Sequence, residues 1–159
     1  RDATLLLRAG NTGNSLEMAY TSGKIITHEQ SIIDFDPAAD DRFGSIGAID
    51  VNGSANALLR FTINRNRSVL RTGELTLIGG PAIVQINATN QASGSHTGVE
   101  IANLGASSQN LTKWGMGHLA INGASPSYSG NISIEQGAIT MASMAELPLA
   151  SRLPISSTG

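Results

Sequence analysis

A short phrase recurs in this sequence and limits what the chain can fold into. It consists of glycine, any residue, an apolar residue, a threonine or small residue, and a second apolar residue. It begins at Gly73, Gly117 and Gly137. The alternation of apolar and polar positions is typical of a strand with one buried face. Self-similar short units that bury their apolar faces by stacking on one another predict a solenoid.

Similar short runs fill the rest of the chain. About a dozen of them, each of roughly three to six residues, are separated by turns rich in Gly, Asn and Ser. A sandwich, a barrel or a solenoid would all show this pattern. The solenoid is favoured because the runs are short for a sandwich and few turns have the two-residue hairpin form. With roughly 20 to 25 residues per coil, residues 1–159 are expected to form one solenoid segment of about seven coils.

The composition favours strands over helices. Charged residues make up 14% of the chain, against about 25% in a typical globular protein. Lys24 and Lys113 are the only two lysines. Helix surfaces favour Lys, Glu, Arg and Ala, whereas strands and turns tolerate Thr, Ser, Asn and Gly. We therefore expect an all-β protein.

Charge and hydropathy argue against two kinds of partner. The net charge is −2 and no basic stripe could neutralise phosphates, so no nucleic-acid partner is expected. The longest apolar runs have about four to six residues, and a membrane helix needs about 20. Cysteine is absent, which suits a large solenoid held together by stacking. Because the chain begins at Arg1 without Met, we expect a segment cut from a longer chain.

Two polar stretches interrupt the alternation and are predicted to be loops. Residues 34–44 are acidic, and residues 87–98 are rich in Asn, Ser, Thr and Gly. Near the end of the chain, residues 143–149 could form one helical turn, which Pro148 would end. The loops are thus expected to leave the body of the solenoid.

Residues 111–148 show an ordered pattern of glycine, aromatic and aliphatic positions. The pattern consists of Lys113, Gly115, Gly117, Leu119, Ile121, Gly123, Tyr128, Ser129, Gly130, Ile132, Ile134, Gly137, Ile139 and Met141. It resembles the passenger-associated transport repeat of bacterial autotransporters, which has a Lys-x-Gly-x-Gly opening, a Tyr-Ser/Thr-Gly turn and alternating aliphatic strands. The resemblance covers about a fifth of the chain, and further upstream only residues 71–79 echo the opening.

The resemblance implies a right-handed parallel β-helix in a secreted or outer-membrane-anchored bacterial passenger. Within the family this repeat is linked to efficient secretion and folding. The residues themselves fit that interpretation, because glycine permits corners with positive φ and close approach of backbones. The Leu and Ile positions are expected to build the core, and Tyr128 is expected to cap a corner.

The densest group of ionisable residues is Asp34, Asp36, Asp40 and Asp41. Carboxylates in a flexible loop could bind calcium, and an acid pair could act on polysaccharide. The spacing does not fit an EF-hand loop, however. A solvated loop is therefore the favoured interpretation, with calcium as the alternative.

Other residues give little support for chemistry. His28, His96 and His118 lack zinc-ligand spacing, and no Gly-x-Ser-x-Gly elbow or phosphate-binding loop occurs. Trp114 beside Met116 could bind sugar or protein, although covering the core edge is the favoured role of Trp114. No catalytic residue, cofactor or metal is therefore predicted.

Three hypotheses for function follow. The first is a non-catalytic structural or adhesive stalk of a bacterial surface protein, whose partners are neighbouring coils, copies of itself, or host and cell-surface ligands. The second is a self-assembling subunit of an extracellular filament. The third is a β-helical enzyme that acts on polysaccharide, which would need Asp36, Asp40 or Asp41 to meet Arg42 in a groove.

Overall fold

A computed structural model describes residues 3–8, 18–37, 40–88 and 97–142. These residues form strands and no helix, and the strands assemble into two parallel sheets. The first sheet contains β1 (Ala3–Arg8), β3 (Gln30–Asp36), β5 (Ala57–Ile63), β8 (Ala82–Ala88), β10 (Leu111–Trp114) and β12 (Ile132–Ile134). The second contains β2 (Met18–His28), β4 (Phe43–Asn52), β6 (Val69–Thr72), β7 (Leu75–Ile78), β9 (Gly98–Ile101), β11 (His118–Ile121) and β13 (Ala138–Met141).

The chain passes alternately through the two sheets, and each strand stacks on a strand of the preceding pass. The expected all-β solenoid of stacked parallel strands is confirmed. Residues that pair in register on neighbouring strands of the first sheet show how many residues each pass uses. Along the column Ala3, Ser31, Leu59, Val84, Lys113 and Ile134, the successive separations are 28, 28, 25, 29 and 21 residues. Three of these five steps exceed the expected range, so most passes use more chain than the short phrases suggest.

The core lies between the sheets and consists of columns of aliphatic and aromatic side chains. In strands β3 and β5, every second residue is buried and the residues between are half-buried or exposed. One column contains Ile33, Phe61 and Ile86, each at most 1% exposed. Stacking identical faces in this way removes apolar surface from water at every step along the solenoid.

Two strands, β2 and β4, are longer than the predicted runs of roughly three to six residues. Strand β2 has 11 residues and β4 has 10. The register between them shifts between Tyr20 and Lys24, and β4 pairs with β6 before this point and with β7 after it. Each long strand therefore covers two short runs of polar and apolar alternation, joined by a bend.

The predicted loops are shorter than expected. The acidic stretch was assigned to residues 34–44, but Asp34 and Asp36 belong to β3, and Phe43 and Gly44 begin β4. Backbone pairing of β3 with β5 extends the strand into the acidic sequence. In the other stretch, Asn87 and Ala88 end β8 and Gly98 begins β9. Residues 89–96 and the proposed helical turn at 143–149 lie outside the described residues.

Within the described part of the chain, no helix has the length and hydropathy that crossing a membrane requires.

Candidate functional site

Lys113 is the buried cation at the centre of the candidate site. It stands in β10, in a column that otherwise contains Leu59, Val84 and Ile134, and its side chain is fully buried. A charge in such a column is costly unless its hydrogen bonds are made. Lysine therefore needs acceptors for its three N–H groups at this position.

Backbone carbonyls supply those acceptors. Nζ of Lys113 donates to the carbonyl oxygens of Trp114 at 3.0 Å, Gly115 at 2.6 Å and Gln136 at 3.0 Å. Trp114 is the last residue of β10, Gly115 follows it, and Gln136 belongs to the corner before β13. Burial lowers the pKa of Lys113 to about 8. The ammonium thus joins two successive corners and satisfies carbonyls that face the core.

Two glycines of the repeat make these corners possible. Gly115 and Gly137 both have φ of +81°, a conformation that other residues rarely adopt. A Cβ atom on Gly115 would lie 2.5 Å from the carbonyl oxygen of Ile86, and one on Gly137 would lie 2.5 Å from that of Gly115. The corners are therefore packed backbone to backbone, and this packing brings the carbonyls within reach of Lys113.

Tyr128 caps the neighbouring corner from inside. Its side chain is fully buried, and its hydroxyl donates to the carbonyl oxygen of Gln109 at 2.8 Å and to that of Asn131 at 3.3 Å. Burial raises the pKa of Tyr128 well above its usual range. A parallel bridge between Ser107 and Tyr128 places the two successive turns in contact.

The remaining repeat positions divide between core and edge. Leu119, Ile121 and Ile132 are buried, whereas Ile134, Ile139 and Met141 are half-buried. The other glycines line the turns: Gly117 and Gly130 are buried and Gly123 is half-buried. The repeat is thus a set of scaffold contacts between successive passes.

The four aspartates do not converge. Asp34 accepts a bond from Asn64 Nδ2 at 2.7 Å, and Asp36 is the half-buried last residue of β3. The other two belong to the next corner: Asp40 accepts a bond from the backbone N–H of Asn66 at 3.1 Å, and Asp41 pairs with Arg67. Three of the four carboxylates therefore bond to a residue one pass further along.

No group of three or more His, Asp or Glu side chains among the described residues could hold a metal ion. Of the histidines, His28 is exposed, His96 lies outside the described residues, and His118 places Nε2 2.6 Å from Thr140 Oγ1. Trp114 is 45% exposed and Met116 54% exposed. Trp114 is thus more open to solvent than a residue that covers the core edge.

Some contacts were not foreseen from the sequence. Ser125 is almost fully buried, and its Oγ accepts a bond from the N–H of Leu104 at 2.9 Å. Arg71 pairs with Glu100 at 3.0 Å, and Asn103 Nδ2 donates to Glu74 at 2.8 Å. In each of these two pairs, the residues are 29 positions apart in the sequence. No local signal in the sequence marks either pair, because the number of residues per pass is known only from the register of the strands.

Comparison of the chain with protein-family models, with curated proteins and with solved structures finds no match. The resemblance to the autotransporter repeat therefore depends on the residue pattern of 111–148 alone.

Proposed function

We propose that this chain is a non-catalytic structural and adhesive stalk segment of a secreted or outer-membrane-anchored bacterial surface protein. The proposal includes a right-handed winding. Parallel strands joined by a crossover within one sheet are right-handed in about 98% of cases, which supports that winding. The residue pattern of 111–148 supports the assignment to an autotransporter passenger.

One observation carries the proposal: polar side chains on the outer faces bond along the stack. Arg60 Nε donates to Gln85 at 2.8 Å, and Ser133 Oγ donates to Thr112 Oγ1 at 3.1 Å. Each such pair contributes little alone, about 0.2 to 1 kcal/mol. When such pairs are repeated from pass to pass, they add to the hydrogen bonds of the parallel strands and to the packing of the continuous core. Together these interactions make the solenoid resist bending. These are the properties that a stalk requires.

A filament subunit is the second candidate, and an exposed apolar side chain on β1 favours it. Leu5 is 39% exposed although it pairs in register with Ile33, which is 1% exposed. An apolar notch of about 250 Å³ lies there, lined by Leu5, Ile25 and Ile33 among others. A further coil of another copy could cover this notch and extend the stack.

The polysaccharide-acting enzyme remains the third hypothesis. It required Asp36, Asp40 or Asp41 to meet Arg42 in a groove. Asp40 and Asp41 instead bond to Asn66 and Arg67, while the backbone N–H of Arg42 donates to Ser68 Oγ at 3.2 Å. This acidic cluster therefore gives the hypothesis no support.

Surface labelling tests the proposed function. Antibodies raised against the chain should label intact cells of the source bacterium, and deletion of the gene should reduce adherence of the cells. Labelling that appears only after the cells are permeabilised would contradict the proposal.

A further inference from the structure

An open groove lies on the outer side of the second sheet. Its volume is about 450 Å³, and its lining includes Ser45, Gly47, Arg71 and Gly73. That volume lies within the range of about 300 to 1,000 Å³ that is typical of small-molecule sites. The scaffold contacts described above do not use this groove.

Glycines lie at the bend of the sheet and form part of the groove floor. A Cβ atom on Gly47 would lie 2.1 Å from the carbonyl oxygen of Gly23, and one on Gly73 would lie 2.9 Å from the backbone nitrogen of Ala48. The register shift of β2 between Tyr20 and Lys24 lies at the same level. The adjacent backbones are therefore packed closely under the groove, and no side chain projects from these two positions.

Polar residues stand on both sides of this floor. On one side, Ser45, Arg71 and Glu100 pair in register on successive strands. On the other side, Glu74 follows Gly73 and accepts a bond from Asn103. Successive strands are about 4.8 Å apart, so donors and acceptors repeat along the groove at that spacing.

Arg71 is held in place before any ligand arrives. Its guanidinium carbon lies 4.6 Å from the centre of the Phe43 ring, and its Nε lies 3.0 Å from Glu100 Oε2. A side chain fixed in this way loses little conformational entropy when it binds a ligand. The terminal nitrogens of the guanidinium can then donate two parallel hydrogen bonds.

The charges select the class of ligand. Arg71 is paired with Glu100, and Glu74 adds a second carboxylate beside the groove. The groove therefore has no excess of cations to attract a polyanion. Hydroxyl groups both donate and accept, so a polyhydroxylated ligand can use the Arg, Glu and Ser side chains together. The exposed Phe43 adds an apolar surface against which the C–H face of a sugar can pack.

We propose that this groove binds an oligosaccharide that lies along the solenoid axis across β4, β6 and β9. The biological role of this groove rests on the surface function proposed above. In that role, the oligosaccharide is the ligand of the adhesive stalk. Binding is expected to be weak for one chain, because only a few hydrogen bonds form at an open surface.

Titration calorimetry of the whole chain tests the site with hexasaccharides of β-linked glucose and of β-linked N-acetylglucosamine as probes, and with a galacturonate hexasaccharide as the anionic control that should not bind. At least one probe should bind, and Arg71→Ala should weaken binding by about tenfold or more. Arg60→Ala is the matched control, because Arg60 makes a similar bond to Gln85 on the first sheet. It should leave binding unchanged.

A second pair of variants tests the groove without removing a charge. Ser45→Trp fills the groove and should abolish binding, whereas Thr112→Trp adds the same side chain to the outer face of the first sheet and should not. The inference is overturned if no probe binds, or if both variants of a pair weaken binding equally. Circular dichroism and scattering of each variant establish that the solenoid is intact. If the purified chain binds an oligosaccharide but antibodies do not label intact cells, only the proposed surface function is overturned.

Discussion

The Nζ atom of Lys113 lies 3.0 Å from the carbonyl oxygen of Gln136, which belongs to the next pass of the chain. The same atom bonds to Trp114 and Gly115 at the corner of its own pass. One buried side chain therefore links two corners that the parallel ladders alone would leave with unsatisfied carbonyls. Several measurable consequences arise from this link and from the core columns around it.

Replacing Lys113 with Met should lower the free energy of unfolding by about 2 to 4 kcal/mol, because buried carbonyls would lose their donors. Equilibrium unfolding in urea measures the change. Arg67→Met is the control, since Arg67 forms a largely exposed pair with Asp41 and should cost less than about 1 kcal/mol. Equal losses in the two variants would contradict the structural role of Lys113.

Stability should depend on pH above neutrality. The pKa of Lys113 falls from 10.5 to about 8 on burial, so between these values the unfolded chain binds more protons than the folded one. Stability should therefore rise with pH in that window, by at most about 3 kcal/mol. Urea midpoints recorded at successive pH values test this rise, which Lys113→Met should remove.

Tyr128 should act in the opposite direction at higher pH. Burial raises its pKa above the usual 10.0, so the unfolded chain ionises first and stability should fall as pH rises beyond about 10. The same midpoints, compared with those of Tyr128→Phe, measure this fall. A wild-type profile that declines steadily from pH 8 would be inconsistent with the assigned direction for Lys113.

Two adjacent leucines test the orientation of β5. Leu59 is fully buried and Leu58 is half-buried on the opposite face. Leu59→Ala should destabilise the chain by about 2 to 5 kcal/mol, because it leaves a cavity in a core column. Leu58→Ala should cost less than about 1 kcal/mol. Thermal and urea unfolding compare the two, and a reversed order would mean that the strand faces the other way.

Calcium should not stabilise the chain through the acidic residues. Three of the four carboxylates bond to residues of the next pass: Asp34 to Asn64, Asp40 to Asn66 and Asp41 to Arg67. Binding of calcium to the folded chain would raise the melting temperature, and tighter binding would raise it more. Scanning calorimetry with calcium and with chelator should therefore coincide. A clear increase with calcium that Asp40→Asn removes would restore the calcium site.

The sequence predicted the local features of the repeat well. Alternation at Leu119 and Ile121 indicated which side chains face the core, and both are buried. Tyr128 was expected to cap a corner, and its hydroxyl donates to the carbonyl oxygen of Gln109 at 2.8 Å. Such features depend on a few neighbouring residues, so a short pattern is sufficient to reveal them.

Long-range pairing was less predictable. The loop assigned to residues 34–44 was too long because backbone pairing of Asp34 with Thr62 continues β3 into polar sequence. The ion pair of Arg71 with Glu100 joins residues 29 positions apart. Nothing local distinguishes such a partner from other polar residues at similar distances along the chain.

By itself, the sequence determined that the chain forms short strands with one apolar face, and that its glycines, Lys113 and Tyr128 form a repeat. Only the tertiary structure decided which strand stacks on which, how much chain each pass uses, and that Lys113 points into an aliphatic column. The reason is that many alternating strands could pair with one another equally well through their backbones. Register is chosen by the fit of whole columns and corners, and these form only when separate passes come together.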